Sequence, residues 1–312
     1  MKLVCLDFSN LIIRNAANPY DTTTDQADRP VGGAVGALAH GLRVIEQERP
    51  THILVARDGS RSEGFRRQLS ASYKAHRASI DEDLAHQFVV AYRGVEILGW
   101  PTIAEPGYEA DDIIASAARS FPGQTLVISG DKDLLALCSE QITVRLLRPG
   151  GHRNCGVEEC LDIFGVGPER VCDYKALVGD PSDGISGVPG IGPKRALALL
   201  AEHGDLKTLL VALERGDDPV AGVNSKITAV LRENIDKAQT SYQLAQLVED
   251  LHIDNLEETL LCPVVPPDDE IGERLTEAGL HALRTRLSGG TKRPQPEVDI
   301  ATAFERAVRQ AQ

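Results

Sequence analysis

The sequence predicts an α/β fold: a mostly parallel central sheet flanked by helices, followed by a helical region. Three observations carry this expectation. Short β-branched runs alternate with amphipathic helical patterns through the first half, as strands joined by helical crossovers do. From about residue 168 onward the pattern is nearly all helical. Between them stands "GVPGIGPKRA" at 187–196, whose glycines and prolines punctuate a tight connection between two helices.

Strands are expected at 3–7, 53–57, 125–129 and 142–146, and first-half helices at 33–48, 82–93, 110–120 and 131–138. The later helices are expected at 168–178, 193–203, 205–214, 224–248 and 270–287. "SGGTKRPQPEVD" at 288–299 reads as a flexible linker before a short terminal helix, because glycine, proline and charge defeat regular structure. These patterns divide the chain into an α/β core at 1–176, a helical region at 177–290 and a linker with its helix at 291–312. No internal repeat or low-complexity tract is visible.

The 312 residues, 42% hydrophobic and 25% charged, are ordinary for a globular protein. No apolar run reaches the roughly 18 residues of a membrane span. The start, "MKLVCLD", reads as a strand and not a leader, so a cytoplasmic protein is expected. Six cysteines are scattered; in a reducing compartment they stay thiols. His152, Cys155 and Cys160 lie close together, but their spacing matches no tight zinc pattern, and buried or tolerated thiols are expected.

A net charge of −13 argues against nucleic acid until its distribution is examined. Residues 249–277 hold ten acids and one base. With these and nine further acids set aside, the remaining surface is mildly basic. Residues 57–77 carry six bases against two acids.

Those nine acids follow a pattern. Asp7 ends the first strand in "LVCLDFSN", Asp58 follows the second in "ILVARDG", and Asp131 and Asp133 follow the third in "LVISGDKD". Carboxyl ends of parallel strands line the ligand crevice of open α/β sheets, so these charges should converge. "GYEADDIIAS" adds Glu109, Asp111 and Asp112, although acids also suit a first helical turn, Asp112 above all. "GDPSD" adds Asp180 and Asp183. Converging carboxylates raise one another's pKa unless cations offset them. Hard oxygen donors suit Mg²⁺ or Mn²⁺. Two such ions about 4 Å apart can activate water and stabilise the leaving oxygen of a phosphoryl displacement.

Beside the acids stand features suited to phosphates. In the helix-hairpin-helix at 185–204, Gly190 and Gly192 permit close backbone approach. Pro193 suits the first helical position, and Lys194 and Arg195 add charge near free N–H groups. "FRRQLSASYKAHR" at 65–77 reads as a basic helix carrying Arg66, Tyr73, Lys74 and Arg77. There Lys74 and Arg77 would share one phosphate and Tyr73 could stack on a base.

Taken in order, "LDFSN", "ARDG", "FRRQLSASYKAHR", "EADDIIA", "SGDKDLLAL" and "VGDPSDGISGVPGIGPKRA" resemble the 5′ nuclease, or flap endonuclease, family over roughly residues 3–200. The likeness is greatest to the 5′→3′ exonuclease domain of bacterial DNA polymerase I and its stand-alone relatives. It implies a PIN-like core with a helical arch at about 60–93. It assigns Asp7, Asp58, Glu109, Asp111 and Asp112 to a first metal cluster, and Asp131, Asp133, Asp180 and Asp183 to a second. Lys74 and Arg77 would contact the scissile phosphate, with Arg66 and Tyr73 as neighbouring arch residues. A K⁺ ion near 186–191 is also implied. Phe8 stands where the family usually has glycine.

The function expected is therefore a structure-specific, metal-dependent 5′ nuclease acting on 5′ flaps, nicks and free DNA 5′ ends, RNA–DNA primers included. A monomer serving replication or repair, alone or with a protein partner, is expected. The competing expectations are a non-catalytic protein that binds branched DNA and a nuclease directed at RNA.

Overall fold

Strand β1 (Lys2–Asp7) is buried along almost its whole length, as a strand covered on both faces must be. In a computed structural model, residues 1–59, 64–77, 79–217, 225–253, 256–262 and 269–287 are described. After β1 come α1 (Phe8–Ala16), α2 (Gly32–Glu48), β2 (His52–Ala56), α3 (Phe65–Leu69), α4 (Glu82–Ile97) and β3 (Thr102–Ile103). Then follow α5 (Ala110–Ser120), β4 (Gln124–Ser129), β5 (Ile142–Arg148) and β6 (Gly151–Cys155). The sheet order is β3-β2-β1-β4-β5-β6. Neighbours run parallel except β5 and β6. The chain's direction of travel across the sheet reverses at β1, which lies between β2 and β4, so a crevice opens at the carboxyl ends there.

Alternating side chains feed two cores. Val4, Leu6, Ile53, Val55 and Ile128 face one, packed with residues of α1, α2 and α4. Leu3, Cys5, Leu54, Ala56 and Val127 face the other, packed with residues of α5 and the later helices. Phe8 is fully buried, its ring 5.6 Å from that of Tyr92.

The helical region comprises α6 (Val157–Phe164), α7 (Val171–Val178), α8 (Pro193–His203), α9 (Leu206–Arg215), α10 (Ser225–Glu233) and α11 (Ile235–Ala245). Three short helices close the described chain: α12 (Leu256–Thr259), α13 (Asp269–Glu277) and α14 (His281–Leu287). The acidic segment returns to the core. The Ile53 N–H donates to the Leu260 carbonyl at 2.8 Å and the Cys262 N–H to the Thr51 carbonyl at 2.9 Å. Leu275, Leu280 and Leu283 then pack into the core of α2 and α4.

Several expected elements differ. The helix at 131–138 is a short 3₁₀ turn, Asp133–Leu137. The helix at 224–248 is two, parted at Asn234, and that at 270–287 breaks at Gly279, whose φ is +80°. The basic helix at 65–77 stops at Leu69. β3, β6, α1, α6 and α12 had no place in the expected list, and the 288–312 linker and terminal helix lie outside the described residues. No helix among the described residues is long and apolar enough to cross a membrane.

Candidate metal and phosphate site

Asp7 both ends β1 and caps α1. One oxygen accepts the Asn10 N–H at 3.2 Å and the other the Ser129 hydroxyl at 2.5 Å. Burial, with Asp58 and Asp131 nearby, pushes its carboxyl up to about 7, against those two hydrogen bonds. Asp58, just beyond β2, accepts the Ala110 N–H at 3.1 Å and so pins the start of α5 to the sheet. Asp111, on the first turn of α5, is raised well above the carboxylate range by burial and then by Asp7 and Asp131.

Asp131 follows β4, its N–H donating to Ser129 Oγ at 2.9 Å, and its Oδ1 accepts the Asp133 N–H at 2.8 Å. Burial and Asp131 push the Asp133 carboxyl up to about 7, although Lys175 opposes them. The Lys175 ammonium bridges Asp133 and Asp180, 2.7 Å from the latter. Asp180 also accepts from the Ser182 N–H at 2.9 Å. Asp183 accepts from Arg77 at 2.7 Å. These two aspartates sit on a loop closed by Gly179 and Gly187, with φ of +83° and +61°. A Cβ at Gly187 would lie 2.4 Å from the Gly179 nitrogen, so only glycine allows this closure.

The segment expected as a basic helix instead folds against this loop. Lys74 takes φ +49°, costing about 1 kcal/mol for a non-glycine residue, and its N–H donates to the Asp183 carbonyl at 2.9 Å. Its ammonium lies 2.9 Å from Glu109 and 3.7 Å from Asp183. Burial works against the charges of both Lys74 and Glu109, but each holds the other ionised: the lysine is raised and the glutamate lowered. Lys74 and Arg77 thus share Asp183, as they were expected to share a phosphate. Beside them a cleft of about 60 Å³ is lined by Asp58, Arg67, Lys74, Arg77, Tyr108 and Glu109.

Three of the expected site residues are engaged within the protein instead. Asp112 is fully buried and accepts from Arg66 through both oxygens, at 2.7 and 2.6 Å. It also accepts from the backbone N–H groups of Val248 and Glu109, each at 3.0 Å. No lone pair remains for a metal. Arg66, expected at DNA, is 4% exposed and spends its remaining donors on the Leu244 and Gln246 carbonyls and on Glu109. Tyr73, expected to stack on a base, has its ring covered by Ile185 and Leu244 and its hydroxyl on Glu109 at 2.9 Å.

Asp131 acts on Asp7, Asp111 and Asp133, which in turn feel Asp58, Glu109 and Asp183, and Lys175 links Asp133 to Asp180. Among the described residues, no three acidic, imidazole or thiol groups are yet drawn to one point as a ready ligand set. Lys74, Arg77 and Lys175 meet these carboxylates among the described residues, and Arg66 reaches Glu109 at 3.5 Å. The donor chemistry nevertheless fits a hard divalent ion: all are carboxylate oxygens, and three of the acids are pushed upward, Asp7, Asp111 and Asp133. Bringing positive charge there relieves that cost. Lys175 escaped the sequence reading, since a lysine within an apolar helical pattern gives no sign of its burial.

At the hairpin, Gly190 takes φ +76° and Gly192 caps α8 in extended form. Nothing lies within 4 Å of a Cβ placed on Gly192. Lys194 and Arg195 are exposed, and Arg195 donates to the Gly190 carbonyl at 2.7 Å. Cys155 and Cys160 are buried thiols while His152 is exposed.

Comparison with known proteins gives consistent matches. The model of the 5′-3′ exonuclease N-terminal, resolvase-like domain matches residues 2–165, and that of the 5′-3′ exonuclease C-terminal SAM fold matches 166–269. DNA polymerase I of Mycobacterium tuberculosis is 33% identical over 310 residues, covering 95% of this chain but 33% of the polymerase. The chain therefore spans about a third of the curated polymerases it matches. A 5′-3′ exonuclease of Aquifex aeolicus is 31% identical over 287 residues, covering 90% of this chain and 93% of that protein. Among solved structures, T5 5′-exonuclease with divalent metal ions (zinc) bound superposes with a TM-score of 0.64 at 19% identity, covering 91% of this chain and all 100% of that one. The catalytic core of Rad2 in complex with DNA substrate gives 0.57 at 16%, covering 94% and 92%. At such identities these two establish the α/β and helical fold alone.

Proposed function

This chain belongs to the 5′-3′ exonuclease family, and we propose that it is a structure-specific 5′ nuclease. It hydrolyses DNA phosphodiesters at 5′ flaps, nicks and free 5′ ends, RNA–DNA primers included, in replication or repair. The observation that supports this reading is that Asp7, Asp111 and Asp133, each raised by burial and by the charge of Asp131, lie around that residue at the sheet's carboxyl end.

Asp7, Asp58, Glu109 and Asp111 would hold one Mg²⁺ or Mn²⁺, and Asp131, Asp133, Asp180 and Asp183 a second. When bound, such ions supply positive charge to the phosphate and lower the pKa of water. The protein's own part is placement. Lys74 and Arg77 stand at the lip of the crevice, where they meet a scissile phosphate and offset its charge as it builds. The backbone around Gly190 and Gly192, with Lys194 and Arg195, grips phosphates along the same strand without reading bases. A K⁺ ion near 186–191 would support that grip. Loop 179–187 joins the two: it carries Asp180 and Asp183 and runs into the hairpin.

We place the protein in the cytoplasm as a monomer, with a replication or repair protein as partner; its six cysteines, none in a disulfide, suit a reducing compartment. A protein that merely bound branched DNA would gain nothing from carboxylates raised by burial and by one another's charge. The test is cleavage of a 5′-labelled flap and a nicked duplex in Mg²⁺ or Mn²⁺. Wild type should cut both, and Asp131→Asn should lose about 10³-fold or more in rate while binding the flap in Ca²⁺ nearly as well. Wild-type turnover by Asp131→Asn would overturn the reading.

A further inference from the structure

We infer that Arg66 and Asp112 form a positioning pair, which holds Glu109 and the 70–77 segment in register with the carboxylate crevice while touching neither metal nor DNA. The inference rests on the nuclease reading above.

The hydrogen-bond inventory of the pair is closed. Asp112 Oδ1 accepts from Arg66 Nη2 and the Val248 N–H, and Oδ2 from Arg66 Nη1 and the Glu109 N–H. Arg66 Nε donates to the Leu244 carbonyl at 3.1 Å and Nη2 also to the Gln246 carbonyl at 2.7 Å. The remaining Nη1 hydrogen faces Glu109 Oε2 at 3.5 Å. A guanidinium has five donors and a carboxylate about four acceptor sites, and here all are used. Buried charges persist only when satisfied in this way, and the planar fork admits little angular play.

The pair joins three segments remote in sequence: α3 at the base of the 70–77 segment, the first turn of α5, and residues 244–248. Asp112 holds the Glu109 backbone directly, and the Glu109 carboxylate in turn receives Lys74 and Tyr73. One turn along α5 a second rivet repeats the link. Ser116 Oγ donates to the Val248 carbonyl at 2.9 Å and accepts the Leu251 N–H at 3.0 Å. The segment after α11 is thus fastened to α5 at successive turns, and the pair sets where Glu109 and Lys74 come to rest. Displacing such groups by about 1 Å costs on the order of 10²-fold in rate.

Two variants, Asp112→Asn and Arg66→Lys, separate this role from the alternatives. Calorimetric titration of DNA-free protein with Mn²⁺ should give the wild-type number of ions for Asp112→Asn. Single-turnover flap cleavage at saturating enzyme and Mn²⁺ should fall about 10- to 100-fold in both variants. For Arg66→Lys the salt dependence of flap binding in Ca²⁺ should be unchanged. Loss of an ion would make Asp112 a ligand and overturn the inference, whereas weaker affinity at the wild-type number of ions is what a displaced Glu109 gives. A salt slope lowered by about 1 in Arg66→Lys would place Arg66 on a phosphate and do the same. Wild-type cleavage rates in variants that merely melt earlier would reduce the pair to a structural one. If Asp112→Asn does not fold, Arg66→Lys, which keeps its charge, decides. If wild type cuts no flap, the nuclease reading falls, while the Mn²⁺ titration still decides whether Asp112 is a ligand.

Discussion

The acids at the strand ends and those on the 179–187 loop lie side by side yet are held in opposite ways. Asp7 and Asp58 are fixed by backbone N–H groups and a serine on rigid elements. Asp180 and Asp183 are held by the protein's own cations, Lys175 and Arg77. The titration follows the difference: burial raises Asp7 to about 7, whereas Lys175 overcomes burial and lowers Asp180. The strand ends form a preset receptor for external positive charge. The loop acids instead tie the phosphate-facing segments to that receptor, because their counter-charges are themselves arms of the site.

Lys74 joins the loop's Asp183 to Glu109 at the start of α5, so it should show the largest effect short of removing a ligand. Lys74→Ala should slow single-turnover cleavage about 10²- to 10³-fold at saturating substrate; an unchanged rate would remove it from the chemistry. Lys175→Met probes the loop side through Asp180, and Asp133 with it. It leaves Asp133 and Asp180 facing each other without their shared ammonium, and urea unfolding should show a loss of about 3 kcal/mol. No loss would mean the loop acids do not depend on a protein cation.

Asp7→Asn probes the strand-end side and should act with the opposite sign. Asp7 holds its proton up to about 7 when folded, against an ordinary 3.8. Between those values the folded chain keeps a proton that the unfolded chain has released, so this group's contribution to stability falls as pH rises. In chelator, variant and wild type should be similar near pH 4, and the variant more stable by about 2 kcal/mol near pH 8. Equal stability at both pH values would erase the contrast between the regions.

Much of this arrangement was legible in the chain. Aspartates after three β-branched runs point to one crevice because parallel strands put their carboxyl ends on one side. The hairpin showed itself through Gly190, Gly192 and Pro193. What escaped depends on distant partners. Asp112 looked like its neighbours, but its partners Arg66 and Val248 lie 46 and 136 residues away. The helix expected at 65–77 stops at Leu69 because Lys74 docks on Asp183, a tertiary contact that overrides local propensity. Helix α1 went unseen because Asp7 serves as strand end and cap at once, leaving no turn to mark its start.

The measurement that bears most directly on the carboxylate crevice is anomalous diffraction from crystals soaked in Mn²⁺. Two peaks about 4 Å apart are predicted, one among Asp7, Asp58 and Asp111 and one among Asp133, Asp180 and Asp183, with Asp131 between them. A crevice without a peak, its acids still facing the protein's own cations, would contradict the account.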